Sequence, residues 1–359
     1  MSDFFHSFNA VRGVQAGRPC YIAMCPMRII PKIFVFNEDE VPPEIRAQRK
    51  LNKGRIPEMS NYLINNQKDY ILSSLTASID GETEFEPFSN KSGENNIGTF
   101  KISMDAQILI NDGQHRRAAI EAAVKNESDL GHDHISVVFF LDDGLKKSQQ
   151  MFADLNKHAV RPSPSLSTLY DQREELSNIA RRVMNDVYIF SKLTETELTS
   201  ISNRSIKLFT LSSIKNANKA LLNKGKNDHI SEDEVQSAIE FWKYIASNIK
   251  DWNLAAERQV NSWELRETYI HAHGVLLHAF GILGSQIIHH KDSWTALDNL
   301  SSIDWSRNSK LWKGRAVVNG RITKSITNVK LTTNQIKKQI GLKLTSEELQ
   351  REKEFKANA

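Results

Sequence analysis

Cysteine is nearly absent from this 359-residue chain, which has only Cys20 and Cys25. Two thiols cannot build a disulfide framework. Five residues of strand would hold them roughly 17 Å apart, far beyond the Cα separation a disulfide accepts. The expectation is therefore two reduced thiols in a cytoplasmic protein, with Cys25 read as a buried structural group in preference to a regulatory one. Long apolar runs are also missing. The nearest candidates, Ser136–Leu141 and Gly274–Ile288, fall short of the roughly 18 uninterrupted apolar residues of a membrane span, so no membrane contact is expected. Residues 1–13 lack the basic and then apolar pattern of a secretory leader. Walker A and Rossmann glycine motifs do not occur, which closes the usual routes to nucleotide binding. No metal is expected either. His271, His273 and His278 are not spaced to surround one ion, His132 and His134 read as part of a turn, and Asp105, Asp112, Asp142, Asp143 and Asp154 show no two-metal spacing.

Acid is absent from one long stretch. Trp305 to Ser346 carries ten Lys or Arg and no Asp or Glu, which leaves the remainder of the chain net acidic. A second basic knot is Arg46, Arg49, Lys50, Lys53 and Arg55. Such patches suit a polyanion, because each phosphate neutralised releases counterions. Double-stranded DNA is the expected partner, with Arg46, Arg49, Lys50, Lys53, Arg307, Lys310, Lys313, Arg315, Arg321 and Lys324 on its phosphates, supplying affinity more than sequence choice. Two plainer readings stand beside this one: a solvated face, or cations that neutralise carboxylates elsewhere in the chain.

The length suits two domains. In the first, Cys20–Cys25, Ile29–Phe36, Tyr70–Ile79, Gln107–Ile110 and Ile135–Leu141 read as strands. Helices are expected from Pro42 to Asn65, His115 to Lys125 and Leu145 to His158, and a loop over 82–98. Arg161-Pro-Ser-Pro-Ser marks the boundary. Beyond it, Leu166–Phe190, Thr210–Leu222, Glu232–Lys250 and Ser262–His289 read as helices. The fold class is α+β: a domain over 1–160, then a mainly α-helical domain over 166–359 that ends in the basic region.

The residues richest in chemistry are Asn111-Asp112-Gly113-Gln114-His115-Arg116-Arg117, where a strand runs into a helix. Gly113 permits a sharp turn, Asp112 can cap the helix, and the first-turn N–H groups form a positive pole. Arg116 and Arg117 beside that pole are locally unfavourable, and an anion is the usual compensation. The alternative is a capped helix with solvated arginines.

Asp112-Gly113-Gln114-His115-Arg116 is the namesake motif of DGQHR-domain proteins, whose N-terminal domain resembles the ParB/sulfiredoxin nucleotide-binding fold. Arg12-Gly13-Val14-Gln15-Ala16-Gly17, Met24-Cys25-Pro26, Leu75 to Gly81, Met151 to His158 and Ser202-Asn203-Arg204-Ser205-Ile206-Lys207 are similar to the DndB family, over most of residues 10–320. The resemblance implies a DNA-binding regulator of the genes for DNA phosphorothioation, repressing their transcription, with other proteins of that system as further partners. It also implies a ParB-like phosphate or nucleotide site at Asp112, Gly113, Gln114, His115, Arg116 and Arg117. The alternative is a DNA-stimulated NTPase using ATP or GTP with Mg²⁺, in which Asp112, Gln114, Arg116 and Asn156 are catalytic. Homo-oligomerisation is left open.

Overall fold

The computed structural model describes residues 4–34, 52–91, 93–141, 150–151, 153–155 and 162–357. It divides into two compact units, Met1–Val160 and Arg161–Ala359. The first is built on a sheet and the second on helices, which makes the chain an α+β protein.

The sheet contains β1 (Phe5–Gln15), β2 (Arg18–Pro26), β3 (Leu75–Asp80), β4 (Thr83–Pro87), β5 (Ile97–Ser103), β6 (Gln107–Asp112) and β7 (His134–Leu141), in the order β4-β5-β1-β2-β7-β3-β6. Only β3 and β7 run parallel; the other neighbours are antiparallel. Ala16 and Gly17 turn β1 into β2, both at positive φ, as a two-residue hairpin requires. Alternate residues of the central strands (Phe8, Ala10, Tyr21, Ala23, Cys25, Ile135, Val137 and Phe139) form one buried face. Against them come Ile30 and Ile33 of α1 (Ile30–Ile33), Leu63 of α2 (Ile56–Asn65), and Ile120 and Ala123 of α3 (Gln114–Asn126).

Two expectations fail here. The run Ile29–Phe36 is β-branched and aromatic, yet its described part is helical, because Pro31 falls in the first turn of α1, where its missing N–H costs nothing. The polar stretch 82–98 holds β4 and the start of β5. Its Gly98 is a packing glycine, since a Cβ there would lie 2.2 Å from the Glu86 carbonyl oxygen.

The second unit runs through α4 (Pro164–Tyr170), α5 (Glu175–Asp186), α6 (Tyr188–Leu193), α7 (Leu211–Leu222), α8 (Glu232–Ser247), α9 (Lys250–Ala256), α10 (Ser262–Thr268), α11 (Gly274–Gly284), α12 (Ile326–Gln339) and α13 (Ser346–Ala357). Helix periodicity over Leu166–Phe190 and Ser262–His289 is real, but each stretch breaks into shorter helices. Asp171 captures the N–H groups of Arg173 and Glu174, and the Ile270 N–H donates to Trp305 O, drawing each chain segment off its axis. Helices α7 and α11 cross so closely that a Cβ on Gly281 would stand 2.3 Å from Ala217 O. Trp242, Trp252 and Trp312 are fully buried. Each indole N–H is satisfied, by Asn218 Oδ1, His271 O and Asp304 O respectively.

The basic stretch meets its counter-charges inside this unit. Arg315 forks onto both Glu352 oxygens at 2.6 and 2.8 Å, donates to Leu331 O, and covers the Phe355 ring. Lys338 shares Glu352, while Lys337 donates to Glu348 at 2.5 Å and to Gln286. Arg315, Lys337, Glu348 and Glu352 are all buried. Arg315 is therefore not a phosphate contact. Its guanidinium is fully engaged beneath the surface, as the second of the plainer readings of the basic stretch had it.

Burial alone would raise the Glu352 carboxyl, but its bonds to Arg315 and Lys338 outweigh that and hold it at about 2. Its stabilisation is complete above the ordinary value of 4.5 and is lost as pH falls towards about 2. Burial pushes His273 down to about 4, with Arg307 and Lys324 adding to the effect, so its contribution is complete above 6.5 and is lost as pH falls through about 4. Acidification is expected to lower the thermal midpoint in these two successive windows, followed by circular dichroism. His273→Gln should shrink the upper one, to which the lowered His278 also contributes. Glu352→Ala strands Arg315 and should cost about 3–5 kcal/mol in denaturant unfolding, whereas an apolar replacement of both partners should cost far less.

Candidate functional site

Strand β6 ends at Asp112, and Gly113 turns the chain into α3 at φ +106°. No other residue fits. A Cβ there would stand 2.4 Å from Leu75 Cδ2, in a backbone conformation that L side chains rarely adopt. Gln114 is buried, and its amide nitrogen donates to Ile110 O at 3.1 Å and Asn111 O at 3.2 Å, so it locks the strand–helix turn from beneath. His115 Nε2 accepts the Asn52 N–H at 3.0 Å. That bond draws the basic turn Lys53–Arg55, with both cations exposed, to the start of α3.

The two arginines find their partners within the chain. Arg116 Nη2 donates to Asp112 Oδ2 at 2.6 Å and to Ser74 O at 3.0 Å. Arg117 donates to Glu121 at 2.5 Å and to Pro31 O at 3.0 Å. The compensation that sequence reasoning assigned to a bound anion thus comes from Asp112 and Glu121. The Nε groups of the two arginines are buried and donate to no acceptor among the described residues. The first-turn N–H groups of α3 add the positive end of a helix, where anions are favoured.

Ser74, which sequence reasoning passed over, joins this turn to a cleft. Its carbonyl receives Arg116 and its hydroxyl lies 2.6 Å from that of Ser136. Ser136 lines a cleft of about 480 Å³ together with Met24, Tyr70, Ile71, His132 and Asp133. The Tyr70 hydroxyl donates to Asp133 at 2.5 Å; burial, with that bond, raises its pKa. A single serine between two turns carries no spacing signal, so this junction could be found only in three dimensions.

The expected DNA contacts divide in three. Arg46, Arg49 and Lys50, like the expected catalytic Asn156, lie outside the described residues, as do Asp142 and Asp143. Arg315 is buried. Arg307 is half-buried and donates to three carbonyls, those of Arg266, Glu267 and Gly320. Lys53, Lys310, Lys313, Arg321 and Lys324 remain exposed. Arg321 lies on the hairpin of β8 (Val317–Val318) and β9 (Arg321–Ile322), and Lys313 and Lys324 flank it in sequence. Among the described residues no carboxylate pairs with Lys310, Lys313, Arg321 or Lys324. Of the histidines, His271 is buried against Asp251 at 2.9 Å, and the half-buried His273 meets Arg266 O, both in the helical unit.

Sequence reasoning also missed Arg266, which gathers the carbonyls of Ser202, Asn203, Ser205 and Lys207 and so shapes the Ser202–Lys207 loop. The Cys25 thiol is buried, and burial pushes its pKa up to about 12.

A mostly antiparallel sheet with an Asp-Gly-Gln-His-Arg turn at a strand end, followed by a helical unit carrying an acid-free basic hairpin, defines a two-unit α+β protein. The particular family follows from the whole sequence. The family model DndB, described as DNA-sulfur modification-associated, matches residues 8–343, and the chain belongs to that family. No curated protein and no solved structure matches it significantly. No helix of the described residues is long and apolar enough to cross a membrane.

Gly113→Ala is expected to cost about 1–3 kcal/mol or more, because overpacking against Leu75 adds to backbone strain. A denaturant midpoint within error of wild type would show that the turn tolerates a side chain.

Proposed function

We propose that the chain is a DNA-binding regulator of the DNA sulfur modification system, acting on the transcription of its modification genes. One observation carries this reading beyond family membership: Lys310, Lys313, Arg321 and Lys324 stay exposed and unpaired in a stretch whose other cations are largely taken up by the protein itself. A chain that buries Lys337 and Arg315 against its own acids yet leaves these four facing water retains a phosphate-binding face. Lys53 and Arg55 beside His115 provide a second basic face, at the start of α3. Its neighbouring turn supports phosphate recognition by the first-turn main-chain N–H groups of α3.

Four phosphate contacts imply a plot of log K against log salt on duplex DNA with a slope near −3 to −4. Neutralising Arg321 and Lys324 together should flatten it by about two units and leave preference among sequences nearly intact wherever phosphates alone are read. An unchanged slope removes the hairpin region as the contact surface and moves the search to Lys53 and Arg55. The hydrolytic alternative is separated by phosphate release from ATP or GTP with Mg²⁺, with and without duplex DNA. A regulator without hydrolytic activity releases none, and a DNA-stimulated rate lost in Arg116→Ala would establish an NTPase instead.

A further inference from the structure

We infer that the Ser202–Lys207 loop is a further phosphate seat of the helical unit: the main-chain N–H groups of Asn203 and Arg204 and the Arg204 guanidinium hold one phosphate of the DNA backbone, and Arg266 positions the loop. The inference rests on the DNA-binding reading above and gives it a contact outside the acid-free stretch.

The carbonyls of the loop converge on α10. Arg266 Nη2 donates to Ser202 O at 2.9 Å and Asn203 O at 3.2 Å, and its Nη1 to Ser205 O at 3.1 Å and to Lys207 O. Ser262 Oγ donates to Ile206 O at 2.7 Å, so every loop carbonyl but that of Arg204 is taken by this helix. The N–H groups fare differently. Ser205 N–H donates to Ser202 O and Lys207 N–H to Ser205 Oγ, but those of Asn203, Arg204 and Ile206 meet no acceptor among the described residues. All three of these residues are exposed. Successive free N–H groups in a turn suit an anion.

The loop also lies over a charge that the protein does not neutralise. Arg266 is buried, yet among the described residues no carboxylate forms an ion pair with it, whereas the buried Arg315 of the same unit has both oxygens of Glu352. Carbonyl dipoles satisfy a guanidinium without cancelling its charge, and a charge in a medium of low dielectric is felt further. Arg307 extends the field. It too meets only carbonyls, those of Arg266, Glu267 and Gly320, so one guanidinium links the residue beneath the loop to the turn of the basic hairpin. His273 senses the same cations, its Nε2 lying 2.8 Å from Arg266 O: besides burial, the main cause of its lowering, Arg307, Lys324 and Arg266 disfavour its protonation. The acids that act on this cluster are Glu267, on Arg266, and Glu195, on Lys207, and the Glu197 and Leu198 N–H groups already hold Glu195 Oε1. The Arg204 guanidinium is exposed and has no partner among the described residues, and a guanidinium can serve two phosphate oxygens in parallel.

The test uses the full chain and duplex DNA, with binding read by fluorescence anisotropy over a salt series and folding by circular dichroism. Arg204→Ala should melt as wild type does, bind about tenfold more weakly, and lose about one unit of the slope of log K against log salt. Arg266→Lys keeps the charge beneath the loop, but an ammonium has fewer donors than the four carbonyls need. It should flatten the slope by about the same unit, and combining it with Arg204→Ala should do no more than either alone. Lys324→Ala, beside the hairpin, should add to Arg204→Ala in full. A wild-type affinity and slope in Arg204→Ala overturns the seat and leaves DNA binding by the hairpin region standing. An Arg266→Lys variant with the wild-type slope overturns the positioning role. If Arg204→Ala abolishes calorimetric binding of ATP or inorganic phosphate and leaves the DNA slope unchanged, the seat serves a free phosphate compound and its assignment to DNA falls. A wild type that binds no duplex overturns both readings together.

Discussion

Everything distinctive about the helical unit depends on how it neutralises its own basic stretch. Ten cations without a local acid would repel one another, and the sequence places the answering carboxylates on the following helix. Glu348 and Glu352 lie one turn apart on one face of α13, which sets both against α12 and the segment before it. Burial of such pairs gives little net stability over an apolar core, but removing one partner is costly, so the arrangement fixes geometry more than it adds free energy. It thereby sorts the cations, fastening Arg315, Lys337 and Lys338 and leaving the hairpin's own charges to the solvent.

The strand–helix turn in the first unit obeys the same logic on a smaller scale. A helix start that carries two arginines is electrostatically poor unless something negative faces it. Asp112 and Glu121 supply that charge, each four residues from its arginine along the chain, so the turn is stable without a ligand. Gln114 and Gly113 then make the turn sharp, and the Asn52–His115 bond closes the basic segment onto it across 63 residues.

Much of this was legible in the sequence. The α+β class, the strand–turn–helix at Asp112–Arg117 and the family itself could be read from short patterns, because apolar periodicity and a motif of five fixed residues survive without knowledge of long-range contacts. The failures have different causes. Ile29–Phe36 has strand composition, but Pro31 within the run starts α1, whereas 82–98 has loop composition but pairs with β1 through β5, a partner distant in sequence. Arg315 illustrates the same limit for the site. Nothing local separates it from Arg321, and only Glu352, 37 residues away, makes one structural and leaves the other exposed. The alternation of Glu347, Glu348, Glu352 and Glu354 just after an acid-free stretch was the signal that could have found the pairing.

The two thiols carry a further consequence for a protein of this family. Enzymatic sulfur transfer commonly passes through a persulfide on a cysteine that must be reachable by its donor and ionised enough to attack. Cys20 and Cys25 are the chain's only cysteines, both are buried in the sheet, and Cys25 is held protonated well above physiological pH. In the folded chain neither thiol is offered at the surface, and burial of Cys25 works against the thiolate that such a step uses.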